Sequence, residues 1–525
     1  MDYQVLASRG IGGYRQYRIP AMAVTNSGRI IAIYDARVDL DDLPGPIDLV
    51  IRMSDDNGER WTGQEVFLAS EGVSGYGDAS IIFDPNVGDK GRIIVFCQSS
   101  SLASFFESSL GCAQDDPTVV HISLSISDDD GETWSHKIVT EQVKDEKTHG
   151  IFASSGMGGC IPNGPYAGRL IHSFVLRRGS ELLGALAFSD DHGNTWKLGA
   201  EIPSGNESGI ACLNNGTILF HSRSTPLRLS GKSVDGGQTI SELLPHHELP
   251  DPSDNGSLAT LKSGEVICTH NHDSDLRRRT VAKLSRDGGV TWPRAILLES
   301  ESSAYSTACE LADGRIGVLF ERHGYTEMVF CRFSLDELKE TKEVLPLEVD
   351  ENEIEFQVAF RYVRPGRDKQ VLERLISLVK RNIPTVDMSV FKFSERKEIG
   401  PNSGSASGDP VFTKEEFDEI LGPVSPGLKV GDELRFSGRL QNHSPHLLTE
   451  IKIESLCEEK VSSTSKLSPG DKITFMDLRY RIQHEDLEIG KVSLVFKWSA
   501  THPNLGSTSG QIRHQISTKS GLSIQ

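Results

Sequence analysis

SDDNGERW (Ser54 to Trp61), SDDDGETW (Ser127 to Trp134), SDDHGNTW (Ser189 to Trp196), SVDGGQTI (Ser233 to Ile240) and SRDGGVTW (Ser285 to Trp292) are five copies of one pattern, S-x-D-x-G-x-x-W. The physics of the pattern is local. Asp and Asn side chains close turns on nearby backbone N–H groups, and Gly supplies the left-handed conformation that a tight turn needs. The Trp returns to pack on the hairpin as a large apolar anchor. Each copy follows a short apolar run, such as DLVIRM before Ser54 or VVHISLSI before Ser127, which reads as a strand entering a turn. Successive copies start roughly 40–75 residues apart, as expected for blade-type repeats with longer loops in some blades. Repeated sheets of this kind close into a propeller, which leaves only short, protected edges. The fourth copy ends in Ile240 and is expected to turn correctly while packing less apolar surface.

The remaining composition sets limits. The chain has 525 residues, 37% hydrophobic and 25% charged, which suits an ordinary globular protein of more than one domain. Fifty glycines fit an all-β, turn-rich architecture. A formal net charge of −19 makes nucleic acid a poor partner, and an anionic ligand must meet a local cationic site. Eight cysteines form no CxxC pair and no Cys/His zinc spacing, so buried free thiols are expected, with no metal and no cofactor. No apolar run approaches the roughly 20 residues of a membrane span. The opening residues MDYQVLASRGIGGYRQYRIP lack a basic segment followed by an apolar one. The chain therefore reads as cytoplasmic as written, or as secreted or cell-surface if it is a processed form.

Composition changes after residue 345. VLERLISLVKRN carries a helical stripe of Val371, Leu375 and Val379, widened by Leu372 and Ile376. PNSGSASGDP reads as a loop or linker, and TKEEFDEIL opens with Thr413 and Glu416 spaced as a helix capping box. From Val424 the alternation is that of strands: Leu434 and Phe436, Ile451 and Ile453, Ile473 and Phe475, Val492 to Trp498. Three units are expected: residues 1–345, a connecting α+β segment at 346–423, and a β-sandwich at 424–525.

The stretch YRQYRIPAMAVTNSGRIIAIYDAR places Arg18 at the start of one strand and Arg37 at the end of the next. Taken alone, a strand-end arginine is more often one half of a surface ion pair. YRIP near the N-terminus combined with the repeated S-x-D-x-G-x-x-W, however, closely resembles the bacterial exo-α-sialidases over about residues 1–340. That resemblance implies a six-bladed β-propeller and a retaining glycosidase. The region after Val424 resembles, less closely, immunoglobulin-like modules appended to such enzymes.

The resemblance also implies roles, residue by residue. Three arginines that hold the sugar carboxylate would be Arg18, Arg223 in the segment following Glu207, and Arg277 of LRRRTVAKLS. The general acid/base would be Asp42 of DLDDLPGP, chosen over Asp39 and Asp41. The nucleophile would be Tyr305 of AYSTACELADG, with Glu207 as its base and Glu321 orienting Arg18. Arg37 and Asp78 would line the sugar near its C4 and acyl substituents, and Phe105 (or its neighbour Phe106) would form an apolar wall. Each has a plainer alternative: a solvated loop acid for Asp42, a core phenol for Tyr305, a turn acid for Glu207, ordinary packing for Phe105. Their joint order along the chain favours the set. The chemistry is coherent, because guanidinium forks suit a carboxylate, and a neutral phenol is a better nucleophile than a carboxylate toward an already anionic centre.

The expected activity is hydrolysis of terminal α-linked sialic acids from glycans, glycoproteins or gangliosides through a covalent tyrosyl intermediate. A trans-sialidase and a non-catalytic sialoglycan-binding propeller are the rival readings. For the C-terminal module, a glycan or surface contact, a spacer and an assembly role all fit alternating strands.

Overall fold

The computed structural model describes residues 1–38, 41–345, 354–363, 413–415, 427–455, 461–502 and 506–520. The expected helix at VLERLISLVKRN and all but the first three residues of TKEEFDEIL lie outside these residues.

All five S-x-D-x-G turns form the same hydrogen-bonded knot. The Ser hydroxyl accepts the Gly N–H (Gly58 2.9 Å, Gly131 2.9 Å, Gly193 2.8 Å, Gly237 3.0 Å, Gly289 2.8 Å). It donates to the Asp carboxylate, which in turn accepts the N–H of the residue before the terminal Trp or Ile. The copy ending in Ile240 makes the full set, so the knot does not depend on the Trp.

What the sequence alone did not reveal is where the glycines point. Each has positive φ, and each also sits against a side chain of the preceding sheet. A Cβ on Gly193 would lie 2.3 Å from Ile94, one on Gly289 2.4 Å from Leu219, and one on Gly58 2.3 Å from Phe330. The Trp residues follow the same rule. Trp134 meets Phe67 edge to face at 4.8 Å, Trp196 meets Phe96 at 4.9 Å, and Trp61 meets Phe330 at 5.0 Å. The turns are therefore joints between neighbouring sheets, and the first turn joins the first sheet to the last.

The sheets so joined are antiparallel meanders. They comprise Gln16–Val24 to Glu65–Leu68, Gly75–Asp84 to Ser135–Ile138, a sheet around Leu170–Arg178 and Glu181–Ser189, and Ser208–Cys212 to Leu244–Pro250. An eight-stranded sheet follows, its parts connected through the 17-residue strand Arg294–Glu310. The N-terminal strand Asp2–Ser8 pairs with Glu327–Phe333 of that last sheet, closing the ring with main-chain hydrogen bonds. The seven described cysteines are unpaired, five of them buried, and Cys457 lies outside the described residues.

Two further sheets lie C-terminal. The strand Ile354–Val363, from the stretch read as a connecting segment, pairs with Glu433–Asn442, which pairs with Lys472–Arg481. The second sheet runs Ser462–Leu467, Leu448–Ser455, Lys491–His502, Gly506–Ser517. Their inner faces share a core that includes Phe436, Ile451, Ile453, Phe496 and Trp498, as the alternation predicts. Among the described residues no helix is long and apolar enough to cross a membrane.

The turn knots carry a pH signature. Burial works against ionisation of Asp287, but hydrogen bonds from the Thr291 hydroxyl and N–H and from Ser285 outweigh it, bringing the carboxyl down to about 2. A depressed carboxyl stabilises the fold above the unfolded value near ~4 and loses that contribution as pH falls through the folded value. Asp287→Asn should lower the melting temperature at neutral pH by about 2–3 °C. The gap to wild type should close between about pH 4 and pH 2; a gap that persists at pH 2 contradicts the assignment.

Candidate active site

The candidate residues come from several sheets: Arg18, Arg37, Asp78, Tyr305 and Glu321 lie on strands, Glu207, Arg223 and Arg277 just outside strand ends, and Asp42 and Phe105 in loops. Arg18 begins at a β-bulge: register slips between Arg18 and Ala21, and Ile19 adopts φ of 59°. A β-branched residue there is strained. The bulge takes the Ile19 N–H out of the ladder and gives it to Glu321 at 2.7 Å. Arg18 donates to both oxygens of the same carboxylate, Nε and Nη2 each at 3.2 Å. Glu321 is fully buried and Arg18 is 8% exposed, so the pair is a desolvated fork. This is the physical content of the RIP motif: proline lacks an N–H, the strand bulges, and the arginine is turned inward.

Tyr305 stands at the centre. Its hydroxyl donates to Glu207 Oε1 at 2.9 Å and accepts from Arg223 Nη1 at 2.6 Å. Glu207 and Arg223 face each other across a hairpin, Arg223 N–H to Glu207 carbonyl at 2.9 Å, with Nη1 also 2.9 Å from Oε1. The guanidinium carbons of Arg18 and Arg277 lie 5.4 and 5.6 Å from the Tyr305 ring centroid. Burial pushes the Tyr305 hydroxyl well above its usual range, against the pull of Arg223 and with the push of Glu207. The resting group is a phenol hydrogen-bonded to the Glu207 side chain.

Asp42 lies in the loop following Arg37, 46% exposed at its side chain, and accepts from Arg37 Nη1 at 2.6 Å. Burial of its carboxyl works against ionisation, but Arg37, Arg18 and Arg223 outweigh it and hold the group below the usual carboxylate range. Arg37 also forks onto Asp35 (2.6 and 3.0 Å). Asp78, at a second bulge with φ of 56°, donates its N–H to Asp35 and accepts from Gln98. Burial, then repulsion from Asp35 and Asp42, raises the Asp78 carboxyl well above its ordinary value. Phe105 is placed apart from this network. It packs against Phe152 and Val175, while Phe106 beside it is 43% exposed.

Arg277 is held by longer contacts: Asp254 at 3.5 Å, the Tyr325 hydroxyl at 3.4 Å and the Ser253 carbonyl at 3.2 Å. Of the three consecutive arginines it alone stands over the Tyr305 ring; Arg278 turns to Gln357.

The model of the BNR repeat-like domain matches residues 28–318, more than half of the chain. The chain belongs to the BNR repeat-like family. Within it, a sialidase of Micromonospora viridifaciens is 33% identical over 336 residues, which cover 61% of this chain and 52% of the relative. The chain thus spans about half of that relative's length. Among solved structures, the Hadza microbial sialidase Hz136 is 26% identical with a TM-score of 0.58, over 64% of this chain and 69% of that one. An intramolecular trans-sialidase from Ruminococcus gnavus, 20% identical, shares the fold (TM-score 0.56, 64% of this chain, 97% of that chain). The kinship with bacterial exo-α-sialidases read from the sequence therefore holds, and the all-β ring of sheets is a β-propeller.

In this BNR repeat-like chain three residues of the site carry no motif. Asp254 supports Arg277, and burial raises its carboxyl to about 7 against the effect of Arg277. Tyr325 lies under Arg18, ring centroid to guanidinium carbon 4.7 Å. Asp35, opposite Arg18 in the strand register, anchors Arg37 and is raised by burial to about 6. The one signal for Asp35 is its position two residues before Arg37; nothing marks Asp254 or Tyr325 before folding.

Proposed function

We propose that this protein is an exo-α-sialidase that releases terminal α-linked sialic acids with retention, through a tyrosyl–glycosyl intermediate. The observation that carries the reading is the Tyr305 hydroxyl set between Glu207 and Arg223, with Arg18 and Arg277 on its ring. The sialidase relatives support it. Arg18, Arg223 and Arg277 would bind the carboxylate on the anomeric carbon, bringing that carbon to the phenol. Glu207 takes the phenolic proton as Tyr305 attacks. Asp42 gives a proton to the leaving oxygen and later takes one from water.

The electrostatics suggest how Asp42 comes to hold that proton. Arg37, Arg18 and Arg223 outweigh burial and hold its carboxyl below the usual carboxylate range. A bound sugar carboxylate brings one negative charge between two of those three guanidiniums, offsetting part of their field and raising the affinity of Asp42 for a proton when substrate is present.

The architecture that fits this reading is a six-bladed propeller over residues 1–345, the eight-stranded sheet counting as two blades joined through Arg294–Glu310. An immunoglobulin-like sandwich would follow, with Ile354–Val363 as one of its strands. Incubation with a sialyl donor and lactose tests the reading while NMR follows the anomer. Free sialic acid released first as the α-anomer is expected. Sialyllactose in excess over free acid would identify a transferase, and β-anomer released first would exclude the double displacement.

A further inference from the structure

The loop carrying Arg277 is anchored from outside the propeller. It connects the strands Val266–Asn271 and Arg278–Ser285, and one side chain holds the two residues that precede Arg277. The Asp273 carboxylate accepts the N–H groups of Asp275 (2.9 Å) and Leu276 (3.0 Å), the two residues before Arg277. That carboxylate is itself gripped by Arg439 of the C-terminal strand Glu433–Asn442. Nη1 reaches Asp273 Oδ1 at 2.8 Å and Asp275 Oδ2 at 2.9 Å, and Nη2 reaches Asp273 Oδ2 at 3.4 Å. Lys472 of the neighbouring C-terminal strand binds the other oxygen of Asp275. Asp273 and Arg439 are both buried, at 6% and 7% exposure, so the contact is a desolvated fork and not a rim pair.

Arg277 needs such an anchor more than its partners do. Arg18 has a bidentate carboxylate within 3.2 Å, and Arg223 has Glu207 and Tyr305 within 2.9 Å. The nearest contacts of the Arg277 guanidinium lie at 3.2–3.5 Å. Its position is therefore set chiefly by its backbone, which Asp273 holds at residues 275 and 276, while the Ser303 N–H holds the Arg277 carbonyl at 3.1 Å. The same loop holds the Arg223 side of the site, because the Ser274 carbonyl accepts from the Thr225 hydroxyl at 2.8 Å.

We propose that Arg439 is a positioning residue of the active site, fixing Arg277 through the Asp273 carboxylate, so that the C-terminal sheets complete the site instead of merely following it. The proposal rests on the reading of Arg277 as a carboxylate-binding arginine. Arg439→Met in the full chain should raise KM for a fluorogenic sialoside, and the dissociation constant for N-acetylneuraminic acid, about tenfold with kcat within about twofold. Amides 272–277 should exchange hydrogen faster. Arg439→Lys keeps the charge but not the fork and should fall between the two. In an Arg277→Ala background, Arg439→Met should add nothing to KM.

Unchanged KM and unchanged exchange would overturn the proposal. So would a further tenfold rise in the Arg277→Ala background, or a loss of kcat alone that tracks a fall in folded protein. A wild-type chain that turns over no sialoside would instead refute the proposed function, and the exchange measurement would still decide whether Arg439 anchors the loop.

Discussion

Tyr305→Phe is expected to lower kcat/KM for a fluorogenic sialoside by on the order of 10³-fold or more, while N-acetylneuraminic acid still binds. The substitution removes one hydroxyl from a side chain that is 7% exposed, so the ring keeps its packing against Ile19, Ala304 and Tyr325. Glu207 and Arg223 remain paired with each other at 2.9 Å, and Arg223 loses no hydrogen-bond partner but the phenol. The loss should therefore fall on chemistry and not on binding. Kinetics on the sialoside paired with calorimetry on the free sugar would check it. A variant keeping more than about a tenth of wild-type turnover would remove Tyr305 as nucleophile. Binding by a wild-type chain that shows no turnover would favour the non-catalytic sugar-binding reading.

The second large effect is on stability. Glu321→Ala should cost about 3–5 kcal/mol, because it leaves Arg18 charged, buried and unpaired and orphans the Ile19 N–H. Thermal unfolding should show a fall on the order of 10 °C. KM should rise with it, since Arg18 loses the fork that aims it. Glu321→Gln, which retains an acceptor for the Ile19 N–H, should lose less. An alanine variant that melts within about 2 °C of wild type would show that the pair is solvated in solution and that its burial has been misjudged.

These effects bear on how much of the site could be read in advance. Arg18 was legible only through the resemblance that YRIP carries, since a strand-end arginine by itself is more often half of a surface ion pair; the bulge that turns it onto Glu321 appears only in the fold. Glu207 and Arg223 were legible as a pair because they bracket a single hairpin. Among Arg277, Arg278 and Arg279 the sequence offers no physical preference. The choice rests on which backbone position faces the ring axis, and there Arg277 stands over Tyr305 while Arg278 turns to Gln357. Phe105, expected as an apolar wall, packs on Phe152 and Val175, contacts that the sequence does not record. Asp254, Tyr325 and Arg439 were not legible at all, since their partners are distant in sequence: Tyr325 meets Arg18, and Arg439 meets Asp273, only after the sheets have closed.

By itself, then, the sequence determined the five turn knots, because Ser, Asp and Gly within eight residues satisfy one another through short-range hydrogen bonds. It determined the strand alternation and the all-β class for the same reason, since side-chain period and turn chemistry act over a few residues. Only the tertiary structure decided that each knot is a joint to the preceding sheet, with Gly58 and Trp61 on Phe330 closing the ring. Closure is what brings strand ends from separate sheets onto Tyr305 and lets a C-terminal arginine reach the loop of Arg277. Contacts of that kind depend on where whole sheets come to rest, and no local pattern of residues records it.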